Sequence, residues 1–359
     1  MTATRRVAFV LPSFAGGGAQ KVILALATNL DAAAFTPIII VLEASGPWIS
    51  LVPPGVRVVS LETPRLRNAF LALRRALRVE RPDIVVSTIG YLNIGVLLLR
   101  PFLKLTPRII VREANTPRHH TQSQTARVAY RLAYRYLYRH ASRVVCPATY
   151  LAEELVTEYG IARDRITVLP NPVDEVSLRA AAVPSRRVPG DGPRFIAIGR
   201  LTEQKGYDRL LEDFARLPPG AQLTIFGEGE LQAALERQIE RLGLKRQVAL
   251  AGFEPQPAPW LAGADALLLS SRWEGLPNVA LEALACGVRV IATPEAGGIG
   301  EIAECAELGA VTIVSSGSAF VSAMMGVTPQ PDNALRTSLL PETYRLHRVA
   351  DAFAAILVI

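Results

Sequence analysis

Cysteine is scarce in this 359-residue chain: Cys146, Cys286 and Cys305 form no CxxC pair and leave an odd thiol. That argues against a disulfide framework and a cysteine zinc site, and points to a reducing compartment, the cytoplasm. Histidine is as sparse, four residues without an HxxxH pair, so neither a metal nor a cofactor is expected. No stretch approaches the roughly 20 apolar residues of a transmembrane helix. The nearest, 94–105, is interrupted by Arg100, Pro101 and Lys104. A signal peptide is not expected either, because Arg5 and Arg6 precede only Val7–Leu11 before Pro12 intervenes. There is no GxGxxG with a trailing acid, which disfavours a nicotinamide-dependent oxidoreductase. Lysine is nearly missing, with four among 39 basic residues.

Acidic residues are short in the front half. Residues 1–180 hold 23 Lys plus Arg against 12 Asp plus Glu, and the remainder holds 16 against 20. A basic front half is expected to meet an anionic partner. Short β-branched runs alternate with helical patterns, the mark of parallel sheets with crossover helices. The length suits two cores. The predicted architecture is α/β, two Rossmann-like doubly wound domains facing across a cleft. Residues 1–170 form the first domain, 171–193 a Pro-rich linker, 194–340 the second domain, and 341–359 a helix packing back on the first.

Within Ser271–Gly287, SRWEGLPNVALEALACG, Glu282 is the lone charge in an apolar run, and an ionised carboxylate there requires hydrogen-bond donors. Glu274 precedes the same helix. Asn278 is a good capping residue, and a helix start of this kind binds anions, phosphate above all. Arg200 and Lys205, in GRLTEQKG after another strand, are suited to one diphosphate, Arg as a fork and Lys as a point charge. The glycines of PSFAGGG (12–18) let backbone approach a ligand or simply make a tight turn.

These residues resemble the retaining family 4 glycosyltransferases of GT-B fold. The matching motifs are the GGG loop, NPVD at Asn171–Asp174, IGRLTEQKG at 198–206, FGEGE at 226–230, LAGF at 250–253 and EGLPNVALE at 274–282. The resemblance implies that the second domain holds a UDP-sugar, or in second place a GDP-sugar. Arg200, Lys205 and the amides near Asn278 and Val279 would grip the diphosphate, and Glu282 would take the ribose hydroxyls. Glu274 would face the sugar within the loop of Gly275, Leu276 and Pro277. Gly227 and Phe253 would border the base, and Gly17 and Gly18 would close on the phosphates. It further implies metal-independent transfer with retention, the leaving phosphate taking the acceptor's proton.

Where relatives carry a histidine near the end of a first-domain strand, this chain reads IIVREANTPRHH. Glu113 takes that place as a catalytic candidate, or Arg112 does, with Asn115 on the acceptor side and His119 or His120 entering from the loop. Along RVAYRLAYRYLYRH (127–140), Arg127, Arg131, Arg135 and Arg139 recur every fourth residue beside Tyr130, Tyr134 and Tyr138. Two readings stand: a basic, aromatic face for an anionic membrane surface or phosphorylated lipid carrier, or a crossover helix with solvated arginines and packed tyrosines. The expected function is transfer of a sugar to a glycan or polyprenyl-linked acceptor in cell-envelope polysaccharide or glycolipid synthesis, at the cytoplasmic face of the membrane. The alternatives are a nucleotide-sugar 2-epimerase of the same fold and a nucleic-acid-binding module. Nucleic acid is not an expected partner.

Overall fold

The computed structural model describes residues 4–15, 17–103, 106–119, 124–183, 185–186, 191–330 and 334–358. The chain divides into two compact units, Met1–Pro172 with Leu346–Ile359, and Val173–Arg345.

The first unit begins β1 (Arg5–Leu11), α1 (Gly18–Thr28), β2 (Phe35–Val41) and β3 (Arg57–Ser60). It continues α2 (Leu66–Glu80), β4 (Ile84–Thr88), α3 (Gly90–Leu99), β5 (Arg108–Arg112) and α4 (Gln124–Leu137), and ends β6 (Arg143–Cys146), α5 (Thr149–Thr157) and β7 (Ile166–Val168). All seven strands run parallel in the order β3-β2-β1-β4-β5-β6-β7. The central strands are apolar on both faces because helices cover both. On one face Ala8, Val10, Val85 and Val111 pack against residues of α2, α3, α4 and α5. On the other, Val7, Phe9, Val86 and Ile110 pack against α1 and a final helix.

The second unit holds α6 (Glu175–Ala181), β8 (Arg194–Ile198), α7 (Tyr207–Phe214), β9 (Gln222–Phe226), α8 (Gln232–Arg241) and β10 (Val248–Gly252). Then follow α9 (Ala258–Gly263), β11 (Ala266–Leu269), α10 (Asn278–Ala285), β12 (Arg289–Ala292), α11 (Ile299–Cys305), β13 (Val311–Ile313) and α12 (Ser318–Met325). Its parallel sheet runs β10-β9-β8-β11-β12-β13. The chain winds outward from β8 to β10, then restarts on the other side of β8 with β11. Ligands of such sheets bind beyond the carboxyl ends of the strands at this reversal.

The stretch expected as a linker is not plain connection. Asp174 caps α6 by accepting from the Ser177 N–H at 3.1 Å. Arg179 on α6 donates to the Ala285 and Arg336 carbonyls at 2.7 and 2.9 Å, fastening the helix to the second unit. Prolines on either side hid this helix in a segment that otherwise reads as coil. A helix absent from the sequence reading, α3, arises from the run at 90–99: it is apolar on nearly every side, so no amphipathic period marks it. Residues 104 and 105 of the apolar stretch ending at Leu105, and His120, lie outside the described residues.

Helix α13 (Leu346–Val358) belongs to the first unit, where Phe353 packs on Phe9 with ring centroids 6.2 Å apart and is joined by Val349, Ile356 and Leu357. Phe353→Ala is expected to cost about 3–5 kcal/mol by emptying this slot, measured as a loss in urea midpoint with near-native spectra before the transition.

Candidate functional site

Strands β8 and β11 flank the reversal in the second unit, and the two segments leaving their carboxyl ends are joined by side chains. From the first, Lys205 Nζ reaches Glu274 Oε1 at 2.5 Å and Gln204 Nε2 reaches Oε2 at 3.3 Å. From the second, Ser271 Oγ donates to Oε1 at 2.7 Å. Glu274 is only 8 % exposed. A carboxylate so enclosed is tolerated because donors surround it. Lys205, expected at a diphosphate, is thus seated on Glu274, while the exposed Arg200 makes no side-chain hydrogen bond or ion pair among the described residues.

The backbone beneath is built for close approach. Gly206 has φ +63°, and a Cβ there would stand 2.2 Å from the Ser270 carbonyl oxygen. Gly297, φ +64°, would meet the Glu274 carbonyl oxygen at 2.3 Å, and the Gly298 N–H donates to the Gly275 carbonyl at 2.8 Å. Gly227, φ +138°, would strike the Gly199 carbonyl oxygen at 2.0 Å, which fastens the β9 loop onto the β8 loop. Arg209 donates to the Ser270 and Ser271 carbonyls at 2.9 and 2.8 Å, and Arg272 makes a two-point ion pair with Asp208 at 2.7 Å. Gly297, Arg209, Gln204 and Ser271 escaped the sequence reading. The glycines of PEAGG after β12 were the available signal.

Leu276 and Val279 are buried, with Gly275 and Pro277 between the loop and α10. Pro277 occupies the capping position and Asn278 is the first helical residue, so Asn278 does not cap α10 as expected. Asn278 and Glu282 are the half-buried residues of α10, and four residues apart they share its open face. Glu282 is therefore not enclosed in the apolar run as its neighbours suggest. Phe253, just past β10, is half exposed.

In the first unit, Gly17 is extended (φ 175°) and Gly18 begins α1, so neither requires a left-handed backbone. The residue of that kind here is Gly46, φ +116°, whose Cβ would lie 2.1 Å from the Ala15 nitrogen.

Arg112 and Glu113, at the end of β5, are buried rather than presented to solvent. Glu113 accepts from Asn93 Nδ2 at 2.7 Å and from the Tyr138 hydroxyl, and Arg112 donates to Asn171 Oδ1. Burial pushes the Glu113 carboxyl up to about 7 against the hydrogen bonds of Tyr138 and Asn93, and brings Arg112 down to about 10. Glu113 thus orders the interior beside the strand end, enclosed rather than exposed. Asn115 is half buried and accepts from the Thr116 N–H at 2.8 Å. Burial also pushes the Cys146 and Cys286 thiols up to about 12, which leaves neither a nucleophile.

Of the two readings of the arginine and tyrosine stripes, the tyrosines follow the packed one. Tyr134 and Tyr138 are fully buried and stack at 4.2 Å, and Tyr130 is half buried. Arg127, Arg131, Arg135 and Arg139 are exposed, and their exposed companions are Val128, Leu132 and Tyr136. Among the described residues no helix is long and apolar enough to cross a membrane.

Two measurements test these arrangements. Lys205→Ala should destabilise by about 2–3 kcal/mol, below the full cost of an entirely enclosed pair, and adding Glu274→Gln should recover part of it in a double-mutant cycle. For Glu113, the folded protein keeps the proton up to about pH 7, whereas the ordinary value is 4.5. The unfolded chain therefore binds fewer protons between these values, and the group removes stability as pH rises through the window. Glu113→Gln should gain on the wild type by on the order of 3 kcal/mol between about pH 4.5 and about pH 8, read from denaturant midpoints.

Residues 180–336 match the family model "Glycosyl transferases group 1", and residues 17–172 match "Glycosyl transferase 4-like domain". The lipopolysaccharide core biosynthesis glycosyltransferase LpsE of Rhizobium meliloti is 32% identical over 55% of this chain and 56% of its own length. An uncharacterized glycosyltransferase of Methanocaldococcus jannaschii is 30% identical over 64% of this chain, which spans 59% of that relative. The N-acetylgalactosamine-N,N'-diacetylbacillosaminyl-diphospho-undecaprenol 4-alpha-N-acetylgalactosaminyltransferase of Campylobacter jejuni is 25% identical over 83% of both chains. Among solved structures, HepE of Anabaena, crystallised with UDP and glucose, superposes with a TM-score of 0.75 at 19% identity over 99% of each chain. Its likeness gives the fold, two Rossmann-like domains of GT-B type. With both family models matched in order along the chain, the chain belongs to the group 1 glycosyltransferases of the family 4 type.

Proposed function

We propose that the protein transfers a sugar from a UDP-sugar to a lipid-linked glycan acceptor, with retention of anomeric configuration, during cell-envelope polysaccharide or glycolipid synthesis at an anionic membrane surface. The observation that carries the donor half is Glu274, held by Lys205, Gln204 and Ser271 at the reversal of the second sheet, directly ahead of the α10 start. HepE was crystallised with UDP-glucose, which favours uridine over guanosine.

In this reading Arg200 and the first amides of α10 stabilise charge developing on the diphosphate. Lys205 joins them while keeping its grip on Glu274, so the residue facing the sugar and the cation facing the leaving group move as one. Glu282, on the open face of α10, takes the ribose hydroxyls. The departing phosphate accepts the proton of the acceptor hydroxyl, and the protein's share is charge stabilisation and orientation.

The acceptor half draws on the Campylobacter relative, whose name specifies a diphospho-undecaprenol acceptor and an alpha linkage. The exposed arginines of α4, alternating with Val128, Leu132 and Tyr136, suit a bilayer of anionic lipid.

UDP release from a panel of UDP-sugars, with and without a crude lipid extract, tests the whole. Extract-dependent release supports the reading, and release stimulated only by lipid-free glycans refutes its acceptor half. Glu274→Ala is expected to lower kcat by at least 100-fold, Glu282→Ala to raise the donor KM about tenfold, and the Arg131→Glu, Arg135→Glu pair to lose binding to phosphatidylglycerol vesicles while retaining UDP binding.

A further inference from the structure

Strands β8, β11 and β12 stand side by side in the second sheet, and each sends a segment past its carboxyl end. A single side chain joins the three segments. Arg209, the third residue of α7, belongs to the chain that follows β8. Its Nε donates to the Ser270 carbonyl at 2.9 Å and its Nη2 to the Ser271 carbonyl at 2.8 Å, just past β11. Nη2 also donates to Thr293 Oγ1 at 3.0 Å, just past β12, and stands 3.6 Å from Glu295 Oε2.

Carbonyls beyond a strand end lose their ladder partners, and buried ones require donors from elsewhere. Ser270 and Ser271 are both buried. Meeting two successive carbonyls from one side chain suits the planar fork of arginine, whereas lysine offers a single point of charge. The Ser271 peptide is held a second time, because Thr293 Oγ1 donates to the same carbonyl at 3.0 Å. Thr293 is itself fully buried, and its N–H donates to the Leu269 carbonyl at 3.0 Å.

What this bracing serves is one residue farther out. The Ser271 hydroxyl donates to Glu274 Oε1, so the set of the Ser271 peptide aims a hydrogen bond at the carboxylate. On the β12 side, Glu295 precedes Gly297 and Gly298, which press on the Glu274 carbonyl and hold the Gly275 carbonyl. Arg209 thus grips the backbone on both sides of the glutamate loop, with one edge of its fork engaged by protein groups.

We propose that Arg209 is a positioning residue for the transfer step. It fixes the Ser271 peptide, and through the Ser271 hydroxyl it holds the Glu274 carboxylate in the orientation that addresses the donor sugar. This rests on the reading of Glu274 as the residue facing that sugar. Because Arg209 acts on orientation, its loss is felt in turnover and not in donor affinity.

The test measures UDP release, per UDP-binding site, from the UDP-sugar that the wild type cleaves fastest. The variants are Glu274→Ala, Arg209→Lys, Ser271→Ala, the Arg209→Lys, Ser271→Ala pair, and Arg216→Ala, whose side chain lies just past α7 on Ser318. Arg209→Lys should lower kcat about tenfold with the donor KM held within about twofold. Once Ser271→Ala has removed the hydroxyl, adding Arg209→Lys should lower kcat by less than about twofold more, since both act along one path. Arg216→Ala should turn over as the wild type does. Unchanged kcat in Arg209→Lys overturns the proposal, as do losses that multiply in the double variant or a change confined to KM. An equal loss in Arg216→Ala also overturns it, by reducing the effect to a loosened α7. Undiminished turnover in Glu274→Ala, or no release from any UDP-sugar, refutes the donor reading and this proposal together. A Glu274→Ala loss beside an intact Arg209→Lys refutes this proposal alone.

Discussion

An ionised carboxylate cannot be enclosed in protein without donors, and the second unit is organised around meeting that demand at Glu274. The loop after β8 supplies Lys205 and Gln204, and the loop after β11 supplies Ser271. Because β8 and β11 are adjacent only where the winding reverses, the ion pair ties together the two halves of the sheet at its ligand-binding edge. The glycines at 206 and 297 follow from the same demand, since side chains there would push apart the backbone that the pair draws together.

The first unit holds a carboxylate under opposite conditions. Glu113 has hydrogen-bond donors in Asn93 and Tyr138, but burial prevails and favours its protonated form. Arg112 beside it spends one nitrogen on Asn171, while its Nε and Nη1 find no hydrogen-bond partner among the described residues. One glutamate is ion-paired with a lysine in a site and the other is an interior group that burial pushes toward its protonated form. The difference lies in whether a flexible cation such as lysine reaches the carboxylate, and residue type alone does not reveal it.

Much of the fold is legible in the alternation of β-branched runs and amphipathic helices, because each sheet is parallel and covered on both faces. What escaped has physical causes. Helix α3 lacks a polar stripe because α2 and α4 flank it. Strand β7, three residues at the sheet edge, is too short to show a period. At the site, Glu274 and Glu282 stand out as acids among apolar residues, and Arg200 and Lys205 as cations after a strand. The pairing of Lys205 with Glu274 joins residues 69 positions apart and has no local signature. The Tyr130, Tyr134, Tyr138 repeat was visible, but which side of α4 faces the core depends on the packing of α3 and α5 around it.

The return of α13 to the first unit makes that unit discontinuous, with residues 173–345 inserted between its two parts. During synthesis the apolar slot beside Phe9 must wait for Phe353, while the intervening unit is made and folds on contacts of its own. At about 5–20 residues per second that wait is roughly 10–30 s. Over that interval the nascent chain carries one finished domain and one open hydrophobic face, so its vulnerability to chaperone capture or aggregation is concentrated in the first half and ends when the last helix emerges.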